Sequence, residues 1–208
     1  MDIAIIGAGN VGAALAGSLS GSGHSVTITA ASPESAEAVA KEAEAQAVAD
    51  NREAVERAEA VILAVPSQAL DGLIRELADA VDGKIVVDVT NRVDLDDPGS
   101  VLDGTSNAER IQERLPGAQV VKALNTVFAA RQADPKVEGT ELDGFVAGDQ
   151  DEAKAKVLAL LKSIGFQPVD AGPLVMSRAL EAMAMLLMTV QIRNNWSWQN
   201  GFKLVGPT

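Results

Sequence analysis

Three glycines near the start of the chain have the spacing of a loop that binds a phosphate. Gly7, Gly9 and Gly12 lie in the stretch IAIIGAGNVGAAL, where an apolar run gives way to small residues that favour a helix. Gly7 permits a tight turn, Gly9 lets a pyrophosphate approach the backbone, and Gly12 lets the helix pack closely on the strand. Free N–H groups at the helix N-terminus would then bind the anion. The motif therefore predicts a dinucleotide-binding site.

The end of the second predicted strand bears on which dinucleotide binds there. An Asp or Glu would bind the ribose hydroxyls of NAD, but this strand ends in ITAAS, which places Ala31 at the corner. Ser32, Ser35 and the start of the next helix can donate hydrogen bonds to a 2′-phosphate, which favours NADP(H). Glu34 is nearby and no arginine lies at this corner, and both facts count against a phosphate.

Few side chains are available for acid–base chemistry. The chain has no cysteine and no tyrosine, and its one histidine, His24, precedes a strand. Ligands bind beyond the carboxyl ends of parallel strands, so we expect a structural role for His24. Lys122, near the end of QVVKALN, could act as an acid or base or could be structural. Hydride transfer between two cofactors suits this inventory, because both partners carry their own chemistry and the protein mainly positions them.

Apolar runs alternate with Ala-rich, charged helical patterns along the chain. The predicted strands are 2–7, 25–30, 46–49, 59–65, 84–90, 118–125, 144–149 and 166–172. The predicted helices are 10–23, 32–45, 51–58, 67–81, 107–115, 151–165 and 174–194. This alternation predicts an α/β fold of the Rossmann type, with a doubly wound, mainly parallel sheet. We expect a dinucleotide-binding domain over 1–140 and a small C-terminal extension over 141–208. The polar loop 91–106 shows no helical or strand periodicity and could be mobile.

Charge and hydropathy limit the partners. The formal net charge of −12 argues against nucleic acid and anionic membranes. We expect no apolar run of membrane-spanning length, no export signal and no metal site, and therefore a cytoplasmic protein. The last helix is apolar on most faces, which predicts packing against a second subunit or, alternatively, within the chain.

Several segments together resemble a known family. In order along the chain they are IAIIGAGNVGAALA, VILAVPSQAL, VVKALNTVFA and DAGPLVMSRALEAMAMLL. They are similar to the NADPH-dependent reductases of the deazaflavin coenzyme F420, and also to the oxidoreductase domain of the STEAP metalloreductases. The resemblance implies a Rossmann domain with a small C-terminal addition, a homodimer, and hydride exchange between NADP and a deazaflavin.

The resemblance also implies roles for individual residues. It assigns the pyrophosphate to Gly7, Gly9, Asn10, Val11 and Gly12, and the adenosine corner to Ala31 and Ser32. It assigns the nicotinamide and acceptor side to Ala64, Val65, Pro66, Asn91, Ala123, Leu124, Asn125, Thr126, Gly172, Pro173 and Leu174. Family members often have Ser-Arg at the adenosine corner and histidine where Asn125 stands, so an ordinary flavin stays open as the acceptor.

Three functions remain open from the sequence. The first is an oxidoreductase that moves a hydride between NADP(H) and coenzyme F420 or a flavin, in which Lys122 and Asn125 are candidate catalytic residues. The second is a small NADP-dependent dehydrogenase or imine reductase with an unidentified substrate. The third is a non-catalytic NADP(H)-binding redox sensor.

Overall fold

The predicted alternation of strands and helices forms a layered α/β structure. The computed structural model describes residues 1–206. The strands are β1 (Asp2–Ile6), β2 (Ser25–Thr29), β3 (Gln46–Ala47), β4 (Ala60–Leu63), β5 (Ile85–Asp88), β6 (Gln119–Ala123), β7 (Lys136–Val137), β8 (Thr140–Glu141), β9 (Asp143–Gly148) and β10 (Gln167–Gly172). The helices are α1 (Asn10–Gly21), α2 (Pro33–Ala43), α3 (Asn51–Glu56), α4 (Leu70–Leu77), α5 (Asn107–Arg114), α6 (Ala129–Ala133), α7 (Asp151–Ser163) and α8 (Ser177–Asn194).

Eight of the strands form one sheet, in the order β10-β9-β6-β5-β4-β1-β2-β3. All neighbours pair in parallel except β6 and β9, which are antiparallel. The chain winds outward from β1 in both directions, as in doubly wound folds. The carboxyl ends of β1, β4, β5 and β6 therefore meet along one edge of the sheet. The predicted fold class is confirmed, and β9 adds an antiparallel step that the pattern did not indicate.

Helices cover both faces of the sheet. On one face α1, α2 and α7 bury Leu15, Ala40 and Leu160 against the apolar strands. On the other face α3, α4 and α5 bury residues such as Leu73 and Ile111. Sequence analysis located these elements to within a few residues, but missed α6 and the β7–β8 hairpin, which are too short to show a period.

The C-terminal helix α8 is buried on one face only. Leu180 and Glu181 are buried, whereas Leu186 and Ile192 are about half exposed. The segment Leu174–Asn194 has the length and composition to cross a membrane. An 18-residue stretch of it has a mean hydropathy of 1.4, and 39% of that stretch is buried within the protein. The expectation that no run reaches that length is therefore wrong by this criterion, although the core helix of a soluble protein passes the same test. β9 and β10 lie C-terminal to residue 140 yet join the main sheet, and the domain boundary there stays a prediction.

Candidate functional site

The turn between β1 and α1 is built on the first and last glycines of the motif. Gly7 has a φ of +117°, and a Cβ there would overlap the carbonyl oxygen of Ala64. A Cβ at Gly12 would overlap the carbonyl oxygen of Gly7. Any side chain at either position would push α1 away from the sheet. The two glycines thus set how closely the helix approaches the ends of β1 and β4.

Gly9 has a different environment. It is the N-cap of α1, with no side-chain cap and no acidic residue in the first helical turn. A Cβ at Gly9 would have no other atom within 4 Å. The N–H groups of the first turn therefore have no side-chain cap as acceptor, and the space beside Gly9 is open. These features fit a pyrophosphate bound at this helix N-terminus.

A cavity with a volume of about 620 Å³ opens in front of this helix. It lies beyond the carboxyl ends of β4 and β5, where doubly wound folds bind ligands. Its lining consists of Gly9, Asn10, Val11, Ala64, Val65, Pro66, Ser67, Gln68, Val89, Thr90, Asn91, Arg92, Val93, Asp94 and Ser100. Seven of the residues predicted for the site are therefore brought together here: Gly9, Asn10, Val11, Ala64, Val65, Pro66 and Asn91.

The predicted adenosine corner lies outside that cavity, at the start of α2. Ser32 is the N-cap of α2 and accepts a hydrogen bond from the Ser35 backbone N–H at 3.3 Å. The Ser32 hydroxyl donates to the Glu34 carboxylate at 2.7 Å. This hydrogen bond is the main reason why the pKa of Glu34 lies below its usual value. The corner thus combines the hydroxyls of Ser32 and Ser35 with an ionised carboxylate.

A second cavity, of about 150 Å³, shares Val11 and Asn91 with the first. The Asn125 Nδ2 donates to Asn91 Oδ1 and to the Leu180 carbonyl oxygen, both at 2.9 Å. In return, Asn91 Nδ2 donates to the Asn125 carbonyl oxygen at 2.9 Å. This pairing fixes the orientation of the Asn125 amide and leaves its Oδ1 buried without a partner. Asn125 as a whole is only 5% exposed, and a buried acceptor without a partner among the described residues favours a ligand that brings an N–H group.

Lys122 is fully buried, and its ammonium group already has three partners. Its Nζ donates to Asp88 Oδ2 at 2.8 Å, to the Thr90 carbonyl oxygen at 2.6 Å and to Glu181 Oε1 at 2.9 Å. An ammonium group has three N–H donors, so none remains for a substrate. The geometry therefore supports the structural alternative for Lys122 and gives no support to its candidate catalytic role.

Five other residues predicted for the nicotinamide and acceptor side line neither cavity: Ala123, Leu124, Gly172, Pro173 and Leu174. Ala123 is fully buried because its position in β6 directs it into the core with Val121. Gly172 has a φ of +95° at the end of β10, and Leu174 packs in the core below α4 and α5. Pro173 precedes a short 3-10 turn. Their predicted roles at the nicotinamide or the acceptor gain no support from the two cavities and stay predictions.

Comparisons with known proteins identify the family of the chain. Residues 2–92 match the family described as NADP oxidoreductase coenzyme F420-dependent. The chain is 31% identical to the F420-dependent NADP reductase of Methanothermobacter marburgensis, and the alignment covers 93% of this chain and 94% of that protein. The chain belongs to the F420-dependent NADP reductase family. It is accordingly an NADP-dependent oxidoreductase.

Two further similarities are informative about the reductase fold. A crystal structure provisionally described as an F420-dependent NADP reductase from Arthrobacter sp. FB24 superposes with a TM-score of 0.87 at 30% identity, and covers 99% of this chain and 100% of that one. The metalloreductase STEAP3 of Rattus norvegicus is 34% identical over 89% of this chain. The chain spans only 37% of the length of STEAP3.

Several lining residues of this reductase site were missed by the sequence analysis. Ser67 and Gln68 follow β4, and Thr90 and Arg92 follow β5, so their position after a strand end was a usable signal. No comparable signal existed for Ser100 or for the side chains that line the second cavity from Phe128 and α8. Within residues 1–206 no cluster of His, Asp or Glu side chains is arranged to hold a metal ion.

Proposed function

We propose that this NADP-dependent oxidoreductase moves a hydride between NADP(H) and a deazaflavin such as coenzyme F420, or a flavin. The nicotinamide gives or takes the hydride, and the acceptor ring exchanges one proton with solvent. The observation that carries the proposal is the small cavity beside the main one. Its lining, within the described residues, is Val11, Asn91, Asn125, Thr126, Val127, Phe128, Ala129, Ala184, Leu187 and Met188, and includes no titratable side chain.

That lining favours a ring system over a simple carbonyl substrate. Reduction of a carbonyl to an alcohol normally needs a proton donor beside the hydride acceptor. Lys122 is the predicted candidate, and its three N–H groups are all occupied. Apolar groups such as Phe128 and Leu187 can instead cover a flat ring, while Asn125 Oδ1 accepts a hydrogen bond from a ring N–H.

We assign NADP(H) to the main cavity, which lies in front of the N-terminus of α1. Gly9, Asn10 and Val11 would bind the pyrophosphate, and Ala64, Val65, Pro66 and Asn91 would line the nicotinamide half. Gly7 and Gly12 would act through the backbone by setting the turn. Ala31, Ser32 and Ser35 would lie at the adenosine end. These roles stay predictions, as does the cytoplasmic location.

The direct test is to mix the purified protein with NADPH and, separately, oxidised F420, FMN and FAD under anaerobic conditions. We expect loss of the visible absorbance of F420 or of a flavin at a catalytic rate. Bleaching of F420 alone would identify the acceptor as the deazaflavin, and bleaching of flavin alone would identify it as a flavin. Tight NADPH binding with no bleaching of any acceptor would reject the proposal and leave a substrate dehydrogenase, an imine reductase or a sensor.

A variant tests whether Asn125 takes part in the choice of acceptor. Asn125→His introduces the residue that family members often have there, and we expect the ratio of F420 to flavin rates to rise. Asn194→His is a matched control, because the exposed Asn194 side chain bonds only to the Val190 carbonyl oxygen within α8. Equal ratios in the wild type and both variants would show that Asn125 does not influence the acceptor.

We propose further that two copies associate through α8. Val175, Met176, Leu186 and Ile192 expose between 40% and 56% of their surface along this helix and the turn before it. A second copy would cover these apolar side chains in a twofold contact. Leu186→Glu should shift the sedimentation equilibrium toward the monomer, whereas Val205→Glu, at a residue that is 96% exposed outside the helix, should not. A wild-type protein that sediments as a monomer would reject the dimer.

A further inference from the structure

Four charged side chains form a continuous buried chain between the sheet, α8 and the loop after β5. Lys122 Nζ bridges Asp88 Oδ2 and Glu181 Oε1 at 2.8 and 2.9 Å. Glu181 Oε2 accepts a hydrogen bond from Arg92 Nε at 2.7 Å. The two positive groups balance the two negative ones, because a buried charge without an opposite partner is strongly destabilising. Lys122, Asp88 and Glu181 are fully buried and line neither cavity, so their role is in the arrangement of the elements they join.

Glu181 joins the largest number of elements. Its Oε1 also accepts the backbone N–H of Asn107, the first residue of α5, at 2.8 Å. The carboxylate therefore connects α8 with β6, α5 and the loop that contains Arg92. The Glu181 side chain has no exposed surface, so loss of these donors would leave a buried carboxylate without partners. One side chain of the C-terminal helix thus determines the position of segments that lie 74 to 89 residues earlier.

Arg92 transmits this connection to the main cavity. Its Nη2 donates to the Val101 carbonyl oxygen and its Nη1 to the Asp103 carbonyl oxygen, both at 2.7 Å. The guanidinium group therefore closes residues 92–103 into a loop that is tied to Glu181. Arg92 itself lines the cavity, together with Val93, Asp94 and Ser100 from the same loop. The loop that lacked a periodic pattern in the sequence is therefore a fixed wall of the cofactor cavity.

We propose that Glu181 and Arg92 are positioning residues that hold this wall against the nicotinamide half of NADP(H). The inference rests on the cofactor placement proposed above, in which the pyrophosphate lies at Gly9 and the nicotinamide half extends past β4 and β5. The loop wall lies beyond that half and away from the adenosine corner at Ser32. Loss of the Arg92 contacts should therefore weaken binding of the nicotinamide half and leave the adenosine half unaffected.

The substitution Arg92→Lys tests the wall separately from the ion pair. It keeps the positive charge opposite Glu181 but removes the two hydrogen bonds to the carbonyl oxygens of Val101 and Asp103. We expect the dissociation constant for NADPH to rise about three- to tenfold, as for loss of one hydrogen bond of ordinary strength. The dissociation constant for adenosine 2′,5′-bisphosphate, which lacks the nicotinamide half, should not change. Both constants are measured by titration calorimetry.

Arg131→Lys is the matched control. Arg131 likewise donates to two backbone carbonyl oxygens, those of Gln199 and Lys136, and its side chain is 16% exposed against 20% for Arg92. It lies outside both cavity linings, so its lysine variant should bind NADPH as the wild type does. Hydrogen exchange of residues 93–103 should accelerate in Arg92→Lys and not in Arg131→Lys. Glu181→Gln should show the same selective loss of NADPH affinity in the protein that folds.

Each alternative outcome overturns the inference in a distinguishable way. A parallel loss of affinity for both ligands in Arg92→Lys would show that Arg92 supports the whole domain and not the nicotinamide wall. Equal NADPH affinity in the Arg92→Lys and Arg131→Lys variants would show that the loop does not position the cofactor. Failure of the wild type to bind either ligand would reject the cofactor placement itself, and the positioning role with it.

Discussion

Gly12 lies directly beside the carbonyl oxygen of Gly7, with no room for a Cβ between them, whereas a Cβ at Gly9 would face open space. Glycines of one motif thus have different functions. Two of them let α1 pack on the ends of β1 and β4, and one keeps the space in front of the helix N-terminus free. The distinction can be measured, because packing affects folding and free space affects only binding.

Gly12→Ala should destabilise the protein, and Gly9→Ala should not. A methyl group at residue 12 overlaps backbone, and we expect the free energy of unfolding to fall by about 1–3 kcal/mol. At Gly9 the φ of −76° suits alanine, so the melting temperature should be unchanged. The dissociation constant for NADPH should rise about tenfold, which corresponds to the loss of one charge-assisted hydrogen bond. Thermal melts and NADPH titrations test both. A Gly9→Ala variant that binds NADPH as tightly as the wild type would contradict the pyrophosphate site.

Lys122→Met should lower stability more than it lowers catalysis. The change leaves the fully buried carboxylates of Asp88 and Glu181 without their shared cation. We expect the free energy of unfolding in urea to fall by about 3–5 kcal/mol. The folded fraction should still transfer hydride, because Lys122 has no free donor. Lys154→Met is the control, because Lys154 likewise pairs with two carboxylates, but those of Asp151 and Asp170 are exposed. A stable but inactive Lys122→Met protein would restore a catalytic role for this residue.

Glu34→Gln should increase the preference for NADPH over NADH. The Glu34 carboxylate accepts a hydrogen bond from the Ser32 hydroxyl and stays ionised at the corner where a 2′-phosphate would bind. Removal of its charge should tighten NADPH binding by about two- to fivefold at low salt and by less at high salt, because the group is exposed. NADH binding should hardly change. Glu37→Gln, further along α2, is the control. An unchanged ratio of the two dissociation constants would place the phosphate elsewhere.

Glu109 should contribute to stability in a pH-dependent way. Burial raises its pKa, but hydrogen bonds from Arg178 and Ser106 outweigh this and lower the pKa from 4.5 to about 2. Because the folded pKa lies below the unfolded one, the contribution is complete above pH 4.5 and is lost as the pH falls toward 2. Since Arg178 is half exposed, we expect about 1 kcal/mol. Urea unfolding from pH 6 to 3 should show a shallower decline for Glu109→Gln than for the wild type; equal slopes would contradict this.

Local patterns were sufficient to predict most elements of this fold, apart from short ones such as α6 and the β7–β8 hairpin. The glycine spacing predicted the turn at Gly7, and the Ser32-Pro33 pair predicted where α2 begins, which the structure confirms. Both signals depend only on neighbours in the chain, through allowed dihedral angles and capping hydrogen bonds. Apolar runs likewise predicted the strands, and the resemblance to the reductase family assigned Pro66 and Asn91 to the nicotinamide side of the site. The Rossmann-type fold and the location of the main cavity were therefore determined by the sequence itself.

The contacts that define individual roles were decided only by the tertiary structure. Lys122 meets Asp88 and Glu181 across 34 and 59 residues, and Asn125 meets Asn91 across 34. Nothing in the local pattern around Lys122 distinguishes a fully paired lysine from a free one, because the difference depends on α8 folding back over the sheet. For the same reason the loop that contains Arg92 had no readable pattern. Periodicity and capping are local properties of a chain, whereas a buried charge finds its partners only after strand order has brought distant segments together.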